Sequence, residues 1–323
     1  MKKIFIAAAA GAICALFSGC GIIKHFVGAA AEKNYSVGTF EYNAGDIDAV
    51  EIDWVSGSVK IGESDSARLT VSETDGGLSE AQKMRCSIEN RTLIIKFCKP
   101  GCSGIFLPGT KQLTVEIPKG IKLTAKSSSA EITLEAESLA EAELQSTSGD
   151  IEAGDFSAES IYINSTSGEI TVGKAYSEEG IELCTTSGGI SAEILSAKEK
   201  IYAESTSGSL KFAFAEAAKE IYAESTSGTV KIERAAAPEL YIKTTSGGIY
   251  SGISSCDAAK INSGSGSVKI ELLDGMGAAV VPKTGSGRFD HGDCYLSDEK
   301  YIFGDGACRI DAKTTSGNIK IIQ

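Results

Sequence analysis

Apolar and polar positions along this chain fall into columns once they are counted from the glycine of a recurring Ser-Gly pair. At −7 stand Ile161, Ile181, Ile201, Ile221 and Leu240, and at −5 Leu144, Ile163, Leu183 and Ile242. Position −3 is always Ser or Thr and −1 always Ser; +2 carries Ile151, Ile170, Ile190, Leu210, Val230, Ile249, Val268, Phe289 and Ile319. From Ala130, a degenerate copy, to Gly287 the steps are 19, 19, 20, 20, 20, 19, 19 and 21 residues. A fixed period in this range is the mark of stacked repeats.

Alternation at −7, −5, −3 and −1 is the period of a strand with one buried face. Positions +2 and +4 alternate in the opposite phase, so one extra residue has to be absorbed between −1 and +2. The glycines Gly149, Gly168, Gly188, Gly208, Gly228, Gly247, Gly266, Gly287 and Gly317 are expected to absorb it, by a bulge or a corner with positive φ. The serine at −1 is expected to point inward, its hydroxyl bonded to backbone or to the next serine. Charged residues recur at −6 and +3, which therefore face solvent. A leucine-rich repeat has an overlapping period but needs a leucine triplet and an Asn/Cys ladder that are missing here. The pattern predicts an all-β fold, a parallel β-solenoid (β-helix) of about ten coils of 19–21 residues.

The period fails between Gly57 and Ala130. There the runs at Cys86–Ile88 and Leu93–Phe97, joined by Glu89–Thr92, predict a hairpin inserted near the N-terminal end. The expected organisation is a signal peptide at 1–19, a lipid-anchored tether at 20–36, an N-terminal solenoid end with the hairpin at 37–129, and the Ser-Gly repeats at 130–323. The last interval, Gly287 to Gly317, is 30 residues and is expected to fold over the open C-terminal end.

Lys2-Lys3 before an apolar run from Ile4 to Phe17 reads as an export signal. The following Leu16-Phe17-Ser18-Gly19-Cys20 resembles a bacterial lipobox, a resemblance that implies lipidation at Cys20 and attachment to a cell membrane. An uncleaved anchor over Ile4 to Ile23 stays open, since roughly 20 residues suffice to cross a bilayer. Either way the domain is placed outside the cytoplasm, at the cell surface and membrane-anchored. A net charge of −12 with six arginines argues against nucleic acid as a partner. Outside the cell disulfides can form, and Cys98 with Cys102 and Cys294 with Cys308 are the candidate pairs. Cys184 occupies the outward column −4 and is expected to be exposed.

Three features together resemble the bacterial putative-adhesin family of β-strand-repeat proteins, a domain of unknown function. They are Leu113-Thr114-Val115-Glu116-Ile117-Pro118, the tandem Thr-Ser-Gly-x-Ile motifs, and Gly304-Asp305-Gly306 with Thr315-Ser316-Gly317-Asn318-Ile319 near the C-terminus. The match runs from about residue 40 to the end. It implies an extracytoplasmic right-handed β-solenoid and carries over no catalytic residue.

A polysaccharide-cleaving enzyme would need clustered carboxylates in a cleft. Asp150 and Glu169 share column +1, but that column continues as Gly189, Ser209, Thr229 and Gly248. Zinc at Cys98, Cys102 and Cys86 is the weaker reading of that loop against a disulfide or plain thiols, so neither metal nor cofactor is expected. The outward column Tyr162, Tyr202, Tyr222 and Tyr241 is the candidate binding surface, against the reading that aromatics simply suit half-buried sheet faces. The function read from the sequence is a non-catalytic, membrane-anchored binding or scaffold protein of adhesin type. Its partner would be a cell-surface polymer or an envelope protein. The alternatives are an envelope-stress or signalling accessory that senses the cell surface and, last, a polysaccharide-active β-helix enzyme.

Overall fold

The structure is a computed structural model that describes residues 37–74, 77–102 and 111–323. The expected signal peptide, the tether and Cys20 lie outside the described residues. Two 15-stranded sheets carry almost all the regular structure. The described helical content is one 3-10 turn, Ala44–Asp46, and no described helix is long and apolar enough to cross a membrane.

Each repeat contributes a strand ending at −3 to one sheet, called A, and a strand starting at +2 to the other, called B. Thus Lys200–Ser205 lies in sheet A and Leu210–Ala217 in sheet B. Successive repeats pair parallel and in register, Ile201 beside Ile221 and Leu210 beside Val230. The −7, −5, +2 and +4 columns meet between the sheets in one continuous core, with Ile201, Ile221, Leu210 and Val230 all fully buried. Burial of that sort contributes about 25 cal/mol per Å² of apolar surface, which is what makes the stack of short strands stable.

The Ser-Gly corner differs from its sequence reading in three ways. The −1 serines are exposed in every repeat. The inward hydroxyl is the one at −3: Ser205, Ser225 and Thr244 are all at or below 2% exposure. The change of phase therefore falls between −3 and the glycine, where the −2 and −1 residues both turn outward. Finally, none of the nine repeat glycines has positive φ. They are glycines because repeats approach closely there. A Cβ on any of them would stand 1.7–2.1 Å from a carbonyl oxygen of the neighbouring repeat, Gly188 O for Gly208 and Gly208 O for Gly228.

The −3 hydroxyl stitches this corner. Ser225 Oγ accepts the N–H of Gly228 at 2.8 Å and donates to the carbonyl of Gly208, one repeat back, at 2.9 Å. Thr244 does the same with Gly247 and Gly228, and Ser263 with Gly266 and Gly247. A backbone N–H and C=O that the bend removes from the ladders are thereby satisfied.

Both ends of the stack double back. In sheet A the strand Cys308–Thr314 is inserted between Ala258–Ser263 and Ala278–Thr284. In sheet B Ile319–Ile322 lies between Val268–Leu272 and Phe289–His291. The spatial order of the corner glycines is therefore 266, 317, 287. At the other end Ala49–Trp54 sits between Thr92–Lys96 and Ile121–Ser127, and Ser58–Glu63 between Gln112–Ile117 and Glu131–Leu134. Antiparallel strands cover the outermost parallel ones: Arg85–Glu89 on Thr92–Lys96, Arg68–Glu73 on Gln112–Ile117, and Lys300–Phe303 on Ala278–Thr284. Such cover blunts sheet edges that would otherwise template aggregation. The predicted hairpin is present, turning at Asn90 and Arg91 with φ of 49° and 63°. Its second strand is part of the parallel stack, so only the first is an addition.

Under the N-terminal cover lies a buried ion pair, Lys111 Nζ to Glu73 at 2.8 Å. Lys111 also donates to the Gln82 carbonyl at 2.7 Å and sits 4.4 Å from the Phe97 ring centre and 4.8 Å from that of Trp54. Burial pulls the Lys111 ammonium below the ordinary lysine range, against the Glu73 carboxylate that raises it.

The cysteines pair otherwise than expected. Cys308 is bonded to Cys256, with Cα atoms 5.5 Å apart, because the inserted strand carries Cys308 alongside the strand that follows Cys256. Cys294 is a free thiol, its Sγ 3.2 Å from His291 Nδ1. Cys98 and Cys102 are also unbridged. In the tight turn between them the Cys102 N–H reaches the Lys99 carbonyl, and the Cys98 thiol donates to the Cys102 carbonyl at 3.5 Å. Cys184 is buried at 5% exposure. Its small side chain lies below longer neighbours, 3.8 Å from Glu182 Oε1.

Candidate binding face

The outer face of sheet A carries the tyrosine column. Tyr202, Tyr222 and Tyr241 occupy equivalent positions on adjacent strands, in register. Their rings stack with centroids 4.8 and 4.7 Å apart and planes within 10°. That distance is the spacing of strands in a sheet, so the stack follows from placing one aromatic at the same column three times. Tyr162 is separated from the three by the repeat that carries Glu182 in its place.

Two residues along each strand stands a second column. The Tyr202 hydroxyl donates to Glu204 and the Tyr222 hydroxyl to Glu224. Glu224 also receives Lys243 Nζ at 2.5 Å. Burial, and then these carboxylates, push both phenols well above the ordinary tyrosine range, so they remain donors at any physiological pH. Glu182 is raised above the ordinary carboxylate range chiefly by burial, against the Cys184 hydrogen bond that lowers it, with the nearby Glu204 adding a smaller push upward. The stacked faces are turned to one another. What the ladder presents outward is ring edges beside a row of carboxylates, hydroxyls and a lysine, a flat strip that can hydrogen-bond along the stack direction.

The tyrosine column is legible in the sequence, whereas the glutamate column is missing from the surface expected there. Its signal was the verbatim recurrence of Ile-Tyr-Ala-Glu-Ser-Thr-Ser-Gly at 201–208 and 221–228. Core packing asks only for apolar residues at alternate positions, so identity at the outward Tyr and Glu is more than the fold requires.

Among the described residues no group of three or more His, Cys, Asp or Glu is placed to hold a metal ion. Asp150 and Glu169 do adjoin, but Asp150 Oδ1 accepts the backbone N–H of Glu169 at 2.7 Å and both are exposed. Of the candidate cysteines, Cys98 is half-buried in its turn and its thiol is pushed up to about 11, chiefly by burial.

No curated protein matches the chain. Among solved structures it is similar to a putative adhesin from Parabacteroides distasonis, at 14% identity over 89% of this chain and 98% of that one, with a TM-score of 0.46. It is also similar to a putative lipid binding protein from the same species, at 16% identity over 90% and 98% of the two chains and a TM-score of 0.42. A putative adhesin from Parabacteroides merdae gives 14%, 90%, 98% and 0.41. The Toastrack DUF4097 family model matches residues 47–249 and 196–323. With the repeat corner, the paired sheets and nearly the whole described chain inside that match, the protein belongs to the Toastrack DUF4097 family.

Proposed function

We propose that this protein is a non-catalytic, extracytoplasmic binding protein of adhesin type, anchored to a membrane through its N-terminal segment. Its repeats form a parallel β-solenoid of about ten coils that serves as a rigid support. The outer face of sheet A is the binding face, and its ligand is an extended cell-surface polymer lying along the stack. One observation carries this reading: Tyr202, Tyr222 and Tyr241 form a stacked column with Glu204, Glu224 and Lys243 in register beside it. A repeating row of acceptors and donors at strand spacing suits a repeating ligand, and a rigid sheet holds it with little ordering entropy to lose on binding.

The test is a glycan array probed with the full-length chain, alongside capture of envelope proteins. Binding to surface polysaccharides that Tyr222→Ala abolishes supports the proposal. Capture of one envelope protein with no glycan bound favours the sensing accessory instead. Turnover of any wall polymer would overturn the non-catalytic reading.

A further inference from the structure

We infer a second, anion-binding site at the C-terminal end of the stack, a recess that takes the acidic groups of a charged polysaccharide. Reading column −4 in spatial order, the side chains are Glu204, Glu224, Lys243, Asn262, Lys313 and Lys283. The sign of the surface reverses within that column, and the inserted strand Cys308–Thr314 sets Lys313 rather than Lys283 beside Asn262. The reversal coincides with a recess of about 580 Å³ lined by Lys243, Asn262, Lys283, Lys313, Thr245 and Thr315. That volume is within the usual range for a small-ligand site and admits a sugar unit or two.

The recess is shaped by two breaks in the −2 column. Elsewhere this position is threonine, but here it is Gly264 and Gly285. At both the backbone itself fills the space of a side chain: a Cβ would stand 2.2 Å from the Thr245 carbonyl at Gly264 and 2.5 Å from the Thr315 carbonyl at Gly285. No side chain therefore projects from these two positions, which adjoin Thr245 and Thr315.

The lysines are arranged against their own electrostatics. Lys283 and Lys313 lie side by side in register, both exposed. Like charges directly opposite each other destabilise a sheet, and among the described residues neither has an acidic partner. The other in-register lysine pairs are each relieved: Lys231 bonds Glu233 beside Lys211, and Lys320 pairs with Asp290 beside Lys269. Across repeats elsewhere lysine faces glutamate, as Lys200 does Glu220 and Lys219 does Glu199. In a chain of net charge −12, two uncompensated lysines at the lip of a polar recess form a local attractor for an anion. Lysine supplies point charges for a carboxylate or sulfate, while the Asn262 amide and the threonine hydroxyls supply hydrogen bonds to sugar hydroxyls. No arginine lines the recess, and the planar fork that grips phosphate in two places is therefore missing from it.

The experiment is equilibrium binding of the full-length chain in mild detergent to polygalacturonate, dextran sulfate, neutral dextran and linear polyphosphate, at low and high salt. Binding of polygalacturonate or dextran sulfate but not dextran, weakened by salt, is expected, the tighter of the two naming carboxylate or sulfate as the anion. Lys283→Glu with Lys313→Glu should weaken it at least about tenfold with an unchanged melting temperature, and Lys283→Gln with Lys313→Gln by less. Tyr222→Ala should leave it intact, so this site and the tyrosine face can fail separately. Absence of binding to both acidic polymers, undiminished binding by the charge-reversed variant, or equal binding of polyphosphate would overturn the inference.

Discussion

Gly208 lies so close to Gly188 of the preceding repeat that a Cβ on Gly208 would stand 1.7 Å from the Gly188 carbonyl oxygen. The obstacle is backbone, which cannot swing away as a side chain can. Gly208→Ala should therefore destabilise by at least about 1–3 kcal/mol, the usual range for overpacking. Gly154→Ala, whose Cβ would meet only the Leu134 carbonyl at 3.4 Å, should change stability by less than about 0.5 kcal/mol. Chemical unfolding of the two variants checks the contrast, and equal losses would contradict the close-approach account.

The inward hydroxyl makes a second, separable prediction. Ser225→Ala leaves the Gly228 N–H and the Gly208 carbonyl without their partner and should lose about 1–3 kcal/mol. Ser225→Thr should retain most of the stability, because Thr244 makes the same two bonds one repeat on. Ser227→Ala, at the exposed −1 position, should be nearly silent.

Cys256 and Cys308 are joined across 52 residues and hold the inserted terminal strand to its neighbour. Non-reducing peptide mapping should recover this pair and no bridge at Cys98, Cys102 or Cys294. Cys256→Ser should lower stability by about 2–4 kcal/mol, whereas Cys294→Ser should not. The buried thiol of Cys86 is pushed up to about 12 and that of Cys98 to about 11, chiefly by burial. Alkylation of the folded protein at pH 8 should therefore be slow at both, since the thiolate is the reactive form.

Glu182 links stability to pH. With its carboxyl raised above the ordinary carboxylate value, folding favours its neutral form. That contribution is fully present below the ordinary value and is lost as pH rises through the raised one. Glu182→Gln should therefore melt higher than wild type at pH 7 and alongside it at pH 3. A wild-type advantage at pH 7 would contradict the assignment.

The buried columns at −7, −5, +2 and +4 could be read from the sequence because burial enforces a period of two, and Ile201, Ile221, Leu210 and Val230 obey it without exception. Which serine turns inward could not be read. Both −3 and −1 fit the same alternation, and only the double outward step at residues such as Thr206 and Ser207 tells them apart. The cysteine pairing was hidden for a different reason. Cys308 reaches Cys256 through a strand inserted out of sequence order, and a repeat period carries no information about the order in which its copies stack. Lys283 and Lys313 stand at the same column of successive repeats, so their adjacency follows from the period in either stacking order; that neither finds an acidic partner among the described residues depends on side-chain geometry and is not legible. The tyrosine column was visible because it follows the period, but its bonds to Glu204 and Glu224 depend on side-chain reach within a strand.

The claim that function lies on the outer face of sheet A is tested most directly by the affinity of Tyr222→Ala for the bound polymer, measured beside Tyr176→Ala. Tyr176 is an exposed tyrosine, 46% accessible, on sheet B. The account predicts that Tyr222→Ala weakens binding at least about tenfold while Tyr176→Ala binds as wild type. Equal affinities for all three proteins, or a loss confined to Tyr176→Ala, would contradict it.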